Sequence, residues 1–318
     1  MKKILITGAS GFIGSFLVEE ALSNNYQVWA GIRSTSDRKY LCDKRIAFID
    51  LNFSDKEKLK DQIRKQIVQY GQWDYIIHNA GVTKCLYLSD FEKINYLFTR
   101  NFVEALQEIG AVPEKFLLMS SLSACYPETD YGRSKLKAEQ FLKTQTGFPF
   151  IILRPTGVYG PRDKDYYLLL KTIKNGWDVV AGFKAQKLTF IYVKDLAKAA
   201  FLALQNPVVR KTYSVADGGV YSGKEYTQMA REILGKKRVI RIRIPLFILK
   251  IVSIMAEAFS KLSRKPSTLN RDKYKIMKQR DWTCDVVSLE QDLGFRASYK
   301  LAQGIRESVN WYRVNGWL

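Results

Sequence analysis

The chain has 318 residues, 47% of them hydrophobic and 26% charged, which is the composition of a globular protein with one large or two smaller domains. No uncharged apolar run reaches membrane-spanning length, and Met1 to Lys3 lead directly into an apolar strand, which argues against a signal peptide. The formal net charge of +20 is unusual for an enzyme of small molecules and predicts a negatively charged partner.

The basic residues and the cysteines narrow the class of protein further. Between positions 236 and 280, fourteen Lys or Arg residues stand against two acids, so the excess charge is local. We expect a phosphorylated substrate or an anionic membrane surface there and no nucleic acid, since the stretch lacks the interleaved aromatic residues of a base-stacking surface. The single histidine and four scattered cysteines argue against a metal site and for reduced thiols in the cytoplasm.

The first predicted element is a strand over residues 4–7, followed by a glycine-rich turn and a helix. The first glycine permits a sharp turn, the second lets a pyrophosphate approach the backbone, and the third lets the helix pack closely on the sheet. The N–H groups at the start of the helix then face the phosphates. The spacing predicts a dinucleotide site, with an ordinary glycine-rich turn as the alternative. The residues assigned to the cofactor are Gly8, Ser10, Gly11, Phe12, Ile13 and Gly14.

Further cofactor contacts are predicted where the next two strands end, near residues 33 and 50. In NAD-preferring sites an acid at the end of the second strand holds the ribose 2′-hydroxyl. Here that strand ends in Arg33 and Ser34, and a cation suits a 2′-phosphate, so we expect NADP in preference to NAD; a solvated loop arginine is the alternative. The third strand ends in Asp50 and Leu51, where the carboxylate is placed to accept a hydrogen bond from the adenine amine.

Alternating strands and helices continue through the first half of the chain. The sequence predicts helices over 55–70 and 90–109 and strands over 73–81 and 116–121. This alternation is typical of an α/β fold, a doubly wound parallel sheet (Rossmann) covered on both faces, whose ligands bind beyond the carboxyl ends of the strands. At the end of the fourth strand, Asn79, Ala80 and Gly81 are small enough for a cofactor to lie against the backbone. His78, just before them, is predicted to be a packed residue.

A tyrosine and a lysine four residues apart begin the next predicted helix. Tyr131 and Lys135 lie on one face of that helix, within reach of a common ligand. We expect the ammonium to lower the tyrosine pKa below its usual value of about 10, which makes the phenol a useful proton donor or acceptor. A hydroxyl from Ser121 could hold and polarise a carbonyl oxygen. Such a pair is also common on protein surfaces, so the spacing alone does not establish a catalytic site.

The motifs taken together resemble the extended short-chain dehydrogenases/reductases, which form the NAD-dependent epimerase/dehydratase family. The resemblance covers nearly the whole chain in the family's order. It rests on Thr7 to Gly14, Asp50-Leu51, Asn95, Ser120-Ser121, Tyr131-x-x-x-Lys135, Arg154 to Pro161 and Phe190 to Asp195.

The resemblance implies a role for each matched residue. Tyr131 is the implied general acid/base, Lys135 binds the nicotinamide ribose and lowers the tyrosine pKa, and Ser121 orients the substrate oxygen. Asn95 supports the lysine. Ser120, Pro155 and Val158 are implied to contact the cofactor, NADP or NAD. The resemblance also implies a homodimer.

Departures from the family pattern bear on the substrate. Nine residues separate Ser121 from Tyr131, fewer than is usual, so Ser120 or Ser123 remains an alternative for the working hydroxyl. No Asp-Glu pair follows the serines, which argues against dehydration. Thr156 and Gly157 stand where many sugar-nucleotide epimerases carry an asparagine for the substrate pyrophosphate.

These departures favour the branch that includes 3β-hydroxysteroid dehydrogenases, dihydroflavonol reductases and bacterial sphingolipid ketoreductases. The expected activity is NADP-dependent hydride transfer to or from a keto or hydroxyl group of a hydrophobic substrate, lipid- or steroid-like. A nucleotide-sugar epimerase or reductase is the alternative. A non-catalytic dinucleotide-sensing or RNA-associated protein is a third, which the intact Tyr131 and Lys135 argue against.

The second half of the chain is predicted to form a smaller, mostly helical substrate-binding cap. The dinucleotide-binding domain spans residues 1–160, with 188–215 returning to it, and the cap spans 161–318. Residues 244–262 are the most apolar stretch. This stretch is predicted to be a helix that covers the substrate pocket or rests on an anionic bilayer, and the two roles are compatible. Its basic flanks are Arg238, Arg241, Arg243, Arg264 and Lys265.

Overall fold

The structure, a computed structural model, describes residues 1–263, 267 and 269–318, so Arg264 and Lys265 of the predicted basic flank lie outside the described residues. The chain forms two compact units. The first comprises Met1–Arg154, Ala197–Tyr213 and Ser288–Phe295; the second comprises Pro155–Leu196, Ser214–Val287 and Arg296–Leu318. The sequence did not indicate that residues 288–295 belong to the first unit, where the Tyr213 hydroxyl donates a 2.8 Å hydrogen bond to Asp292.

The described strands alternate with helices through the first unit as the sequence predicts. The strands are β1 (Lys3–Thr7), β2 (Gln27–Gly31), β3 (Ile46–Ile49), β4 (Tyr75–His78), β5 (Lys115–Met119), β6 (Phe150–Pro155), β7 (Gly157–Tyr159), β8 (Trp177–Ala181), β9 (Lys187–Leu188), β10 (Phe190–Tyr192), β11 (Lys211–Val215), β12 (Tyr221–Ser222), β13 (Ile240–Ile244) and β14 (Asp281–Trp282).

The predicted helices agree with the structure except over residues 90–109, where one continuous helix was expected. The helices are α1 (Phe12–Ser23), α2 (Lys56–Tyr70), α3 (Ser89–Phe91), α4 (Phe98–Glu108), α5 (Asp130–Thr144), α6 (Asp165–Lys174), α7 (Val193–Gln205), α8 (Gly223–Leu234), α9 (Leu246–Ser263), α10 (Arg271–Lys278), α11 (Val287–Leu293) and α12 (Leu301–Val314). The single helix predicted over 90–109 is wound as a π-helix over Glu92–Leu97, between α3 and α4. Such π-helical turns often occur at functional sites, and this one carries Asn95.

Seven strands form one sheet in the order β11–β6–β5–β4–β1–β2–β3, and the neighbours from β6 to β3 pair in parallel. This sheet confirms the predicted α/β, doubly wound fold. Parallel pairing brings the carboxyl ends of β1 to β5 to one edge of the sheet. The strand order reverses between β1 and β4, the position at which sheets of this kind bind their ligands.

Apolar side chains from strands and helices make a core in each unit. In the first unit, aromatic rings from α4, β5 and β6 pack together, among them Phe102, Phe116 and Phe150. In the second unit, α6, α8 and α12 pack around a largely aromatic cluster that includes Tyr159 and Tyr312. None of the described helices is long and apolar enough to cross a membrane.

Helix α5 carries the predicted Tyr-x-x-x-Lys motif and begins at a well-formed cap. The Thr129 hydroxyl accepts a 2.9 Å hydrogen bond from the Gly132 N–H, which fixes the first turn of the helix. Three residues on the buried face, at positions 135, 139 and 142, follow the helical period. Two of them, Lys135 and Glu139, are charged, so this helix buries charge as well as apolar surface.

Candidate active site

The glycine turn after β1 is tightly packed where the sequence predicts it. Gly8 has φ +65°, and a Cβ there would lie 2.9 Å from the Ala80 Cα atom. A Cβ on Gly14 would lie 2.1 Å from the Gly8 carbonyl oxygen, so α1 begins in close contact with the turn. Gly11 is exposed, and among the described residues a Cβ there would meet only the Gly8 oxygen, at 3.3 Å. The protein's own packing therefore explains two of the three glycines.

The first turn of α1 offers backbone donors to an anion. Gly11 is the N-cap and provides no side-chain hydrogen bond, and the first turn has no acidic residue. The first N–H groups of any helix lack partners within the helix. Ser10, Phe12 and Ile13 are half-buried at this end, with the Phe12 ring packed edge-on against Phe16.

The rim beyond β2 and β3 carries the predicted cofactor-selecting residues. Arg33 and Ser34 are exposed, and the Ser34 N–H donates a 2.8 Å hydrogen bond to Asp50 Oδ2. Leu51 is buried in the core below the rim. Arg38 stacks on the Phe48 ring at 4.2 Å, which adds a second cation to this corner.

The turns after β1 and β4 are joined by side-chain hydrogen bonds. The Asn79 amide donates to the Gly8 carbonyl oxygen at 3.4 Å, and the Ala80 N–H donates to the Thr7 hydroxyl at 3.0 Å. The Thr7 hydroxyl also lies 3.0 Å from His78 Nδ1. His78 is fully buried, and burial lowers its pKa to about 3, which confirms it as a packed residue.

Asn95 ties the loop after β4 to helix α5. Its buried side chain accepts a 2.9 Å hydrogen bond from the Val82 N–H and donates a 3.0 Å hydrogen bond to the Ser134 hydroxyl. A Cβ on Gly81 would lie 2.9 Å from Asn95 Oδ1 and 3.1 Å from Lys135 Nζ. Asn95, Gly81 and Lys135 therefore lie close together. The hydrogen bond to Ser134, the residue before Lys135, joins Asn95 to helix α5.

The hydroxyls of Tyr131 and Ser121 are hydrogen-bonded to each other. Ser121 Oγ also accepts a 3.1 Å hydrogen bond from the Ser123 N–H, which orients it at the end of β5. The Tyr131 ring packs against Phe91. Ser121 is therefore the serine that meets the tyrosine, whereas the Ser120 hydroxyl is bonded to Glu139.

The expected lowering of the Tyr131 pKa is wrong for the structure described. Burial raises the pKa of Tyr131, and the hydrogen bond with Ser121 only partly opposes this effect. Lys135 is itself buried and donates a 2.9 Å hydrogen bond to the Met119 carbonyl oxygen. Burial lowers the pKa of Lys135 to about 8, against the opposing effect of the Glu139 carboxylate. Burial is thus the largest influence on both groups: it raises the pKa of Tyr131 and lowers the pKa of Lys135.

Glu139 is a residue near the site that the sequence motifs did not predict. Its fully buried carboxylate accepts hydrogen bonds from the Ser120 hydroxyl and from Arg154, whose Nε lies 2.9 Å away. It is one helical turn beyond Lys135, on the same face of α5. An acid between the apolar Ala138 and Leu142 of the inner face was the signal that could have identified it.

Two predicted cofactor contacts belong to the second unit. Pro155 ends β6, and Val158 lies in β7, where it pairs with Ile191 of β10. Thr156, between them, donates a 2.8 Å hydrogen bond from its hydroxyl to the Thr189 carbonyl oxygen. In the described part of the chain, no group of three or more His, Cys, Asp or Glu side chains could hold a metal ion.

The residues present fit a dinucleotide. The exposed Gly11 leaves room for a phosphate above helix donors that have no side-chain cap, and the small residues after β4 adjoin this turn. Cations flank the rim at Arg33 and Arg38, where a ribose would lie. Ser121, Tyr131 and Lys135 occupy the same edge of the sheet.

Comparisons with known proteins agree with this geometry. The model of the NAD dependent epimerase/dehydratase family matches residues 4–216. The chain is 26% identical to the ceramide reductase of Caulobacter vibrioides, over 99% of this chain and 96% of the relative. It is also 26% identical to a putative UDP-glucose 4-epimerase of Methanocaldococcus jannaschii, over 98% and 99% respectively. The structure of UDP-glucose 4-epimerase from Thermotoga maritima with UDP-glucose superposes with a TM-score of 0.78 at 19% identity, covering 98% of this chain and 99% of that one.

Proposed function

The chain belongs to the NAD-dependent epimerase/dehydratase family, and from that premise we propose that it is an NADP-dependent oxidoreductase of a hydrophobic, lipid-like ketone or alcohol. The observation that carries the proposal is the hydrogen bond between the Tyr131 and Ser121 hydroxyls at the carboxyl edge of the sheet, on the helix that buries Lys135. This arrangement places a proton donor beside a second hydroxyl that can hold a carbonyl oxygen.

When bound, the nicotinamide supplies or accepts the hydride. In reduction, hydride adds to the carbonyl carbon, while Tyr131 donates its proton to the oxygen that Ser121 holds. Burial raises the pKa of Tyr131, which suits the phenol to the role of proton donor in the reductive direction. The Lys135 ammonium holds the cofactor ribose and stabilises the phenolate that forms when the proton leaves.

The preference for NADP is supported by the charges of the rim. Arg33 and Arg38 lie on the exposed loop after β2, with Lys39 beside them. The nearby Asp50 carboxylate accepts from the Ser34 N–H, which orients that loop. A 2′-phosphate would meet cations at this position, where NAD-preferring sites hold a hydroxyl with an acid.

The preference for a lipid-like substrate is supported by the start of the second unit. The Thr156 hydroxyl is bonded to Thr189, and a Cβ on Gly157 would lie 2.4 Å from the Tyr166 hydroxyl oxygen. Neither position offers a free amide of the kind that binds a sugar-nucleotide diphosphate. The full-length similarity to a ceramide reductase points in the same direction.

A nucleotide-sugar epimerase or reductase is the second candidate. The similarity to a putative UDP-glucose 4-epimerase over nearly the whole of both chains supports it, and so does the excess of basic residues in the sequence over 236–280. The same Tyr131, Ser121 and Lys135 would serve that chemistry, so the substrate decides between the candidates.

We also propose that the enzyme works in the cytoplasm, at the inner face of an anionic membrane, and as a homodimer. The membrane surface is supported by the local excess of basic residues and by exposed apolar side chains in the second unit. The dimer is supported by the usual assembly of the family.

A substrate panel tests the proposed activity. NADPH oxidation is followed with keto-lipids and steroids in mixed micelles and, separately, with UDP- and GDP-sugars. We expect turnover with a keto-lipid and none with the sugars. Epimerisation of a nucleotide-sugar without net NADPH oxidation would replace the oxidoreductase with the second candidate.

A further inference from the structure

Helix α9 presents large apolar side chains to solvent, whereas three of its four buried residues among those described, all except Leu249, are polar. Its buried residues include Ser253, Glu257 and Ser260, which recur at helical spacing on one face. The Ser253 hydroxyl donates a 2.6 Å hydrogen bond to the Leu249 carbonyl oxygen, and Glu257 forms an ion pair with Arg271. The exposed large apolar residues of the helix are Phe247, Ile248, Ile251, Val252, Ile254, Met255, Phe259 and Leu262.

The exposure of these side chains is large enough to need a partner. Phe247 is 66% exposed, Met255 65%, Phe259 68% and Leu262 82%. A surface helix of a globular protein normally turns its apolar stripe toward the core, so this pattern is the reverse of the usual one. Contiguous apolar surface of this kind marks a binding face.

The strand pair before the helix extends the apolar surface. In the parallel register of β8 and β13, Ile240 pairs with Trp177 and Ile242 with Val179. All four residues are exposed and large, and alternation along a strand puts them on one face. On the opposite face, Arg241 forms an ion pair with the buried Asp178.

The strand pair and the helix adjoin each other. The Gly182 N–H, just after β8, donates a 2.8 Å hydrogen bond to the Ile244 carbonyl oxygen at the end of β13. A Cβ on Gly182 would lie 3.2 Å from Leu246 Cγ in the first turn of α9. Phe183, the next residue, is 65% exposed. We call the exposed apolar side chains of β8, β13, Phe183 and α9, which belong to adjoining elements, the apolar platform.

The charge around the apolar platform is positive. The two acids of residues 236–280, Glu257 and Asp272, are both buried, and each is paired with a cation. The cations that are exposed in the same stretch include Lys236, Lys237, Arg238, Arg243, Lys250, Arg271 and Lys278. An exposed apolar surface flanked by cations is complementary to the interface of an anionic bilayer.

We propose that the apolar platform is the surface by which the protein docks on an anionic lipid bilayer, with α9 lying in the plane of the interface. The inference rests on the proposed membrane association and deepens it by naming the elements that enter the lipid. A helix of 18 residues that keeps one polar face on the protein can lie in the interface without spanning it. A second copy of the chain is a poorer occupant, because two such faces would bring like charges together.

The test is binding of the full chain to vesicles of equal parts phosphatidylcholine and phosphatidylglycerol, compared with phosphatidylcholine alone. The test variant is Met255→Glu with Phe259→Glu. The matched control is Val68→Glu with Val314→Glu, which makes the same charge change at residues that are 89% and 86% exposed elsewhere in the chain.

We expect the wild type and the control to sediment with the anionic vesicles, and the platform variant to lose affinity by at least about tenfold. Salt should weaken wild-type binding, because the attraction is partly electrostatic. Equal binding by the platform variant and the control would overturn the inference. A change in oligomeric state of the platform variant without lipid would also overturn it, because the face would then be an interface between copies.

Turnover of a water-soluble ketone separates this inference from the proposed activity. The platform variant should keep NADPH-dependent turnover of that ketone within about twofold of the wild type, since the substituted residues are exposed. If no ketone is reduced and vesicle binding still depends on the platform, the oxidoreductase proposal fails while the docking surface stands.

Discussion

Polar side chains are buried at the sheet edge of the first unit and along α9 of the second, and the two regions differ in what faces solvent. At the sheet edge, Asn95, Lys135 and Glu139 are each held by hydrogen bonds to neighbouring elements, and the small residue Gly81, which is exposed, adjoins Asn95 and Lys135. In α9, Ser253 is hydrogen-bonded to Leu249 and Glu257 is paired with Arg271, while the opposite side of the helix exposes apolar side chains. Buried polar groups therefore indicate a catalytic site only where the neighbouring surface can admit a ligand. In α9 they lie opposite an exposed apolar face, which indicates a binding surface instead.

Replacing the proposed proton donor gives the largest expected effect and tests the first region. Tyr131→Phe removes the hydroxyl that is bonded to Ser121, so ketone reduction should fall by at least about a hundredfold. NADPH affinity, measured by fluorescence titration, should stay near the wild-type value. Tyr96→Phe is the control, since this half-buried ring packs on Phe141. Full turnover by Tyr131→Phe would show that the proton donor is another residue.

Two substitutions in α9 test the reversal of its faces. Leu249 is buried, and Leu249→Ala should lower the free energy of unfolding by about 2 kcal/mol. Ile251 is 55% exposed, and Ile251→Ala should change it by no more than about 0.5 kcal/mol. Urea unfolding measures both. An equal loss for the two variants would mean that the Ile251 side is packed in solution and that α9 does not expose an apolar side.

The next largest expected effect is a change in the affinity for NADPH relative to NADH. Arg33→Ala removes an exposed cation from the rim and should weaken NADPH binding by about tenfold, with NADH binding unchanged. Arg64→Ala, on the exposed side of α2, is the matched control for the loss of charge. Equal weakening of NADPH and NADH by Arg33→Ala would remove the support for NADP.

The smallest expected effect is a shift in pH dependence through Glu139. In the proposed mechanism the ammonium form of Lys135 is the active one. Burial lowers the pKa of Lys135 to about 8, so kcat/KM for the ketone should fall as pH rises through about 8. The Glu139 carboxylate raises that pKa, and Glu139→Gln should therefore move the fall to lower pH, by less than about one unit.

Glu108→Gln, at an exposed acid of α4, is the control for Glu139→Gln and should leave the profile in place. A purely structural role for Glu139 would reduce kcat/KM equally at every pH. That result would contradict the electrostatic link between Glu139 and Lys135.

The sequence predicted the sheet because its information is local. Apolar runs, the glycines from 8 to 14 and the Tyr131 to Lys135 spacing each fix a short piece of backbone, and the parallel order then follows from alternation. The serine that meets Tyr131 could not be chosen among Ser120, Ser121 and Ser123, because that contact joins two separate elements.

The features that the sequence could not predict are those that depend on which side chains are buried in the fold. The sign of the Tyr131 pKa shift was wrong because desolvation cannot be read from spacing. Glu139 was missed because its partners lie on separate elements, Ser120 just after β5 and Arg154 in β6. The apolar stretch over 244–262 was recognised, but its composition alone does not say which side of α9 faces the protein.

The central claim is that the protein transfers hydride from NADPH to a keto-lipid. The most direct test uses NADPH that carries deuterium at nicotinamide C4, in the position that is transferred, and follows where the deuterium goes. Wild-type protein is incubated with the labelled cofactor and a keto-lipid in anionic vesicles, and the products are analysed by mass spectrometry. The account predicts deuterium on the carbinol carbon of the lipid, and none with Tyr131→Phe. Unlabelled lipid, with inversion of a nucleotide-sugar and no net oxidation of NADPH, would contradict it.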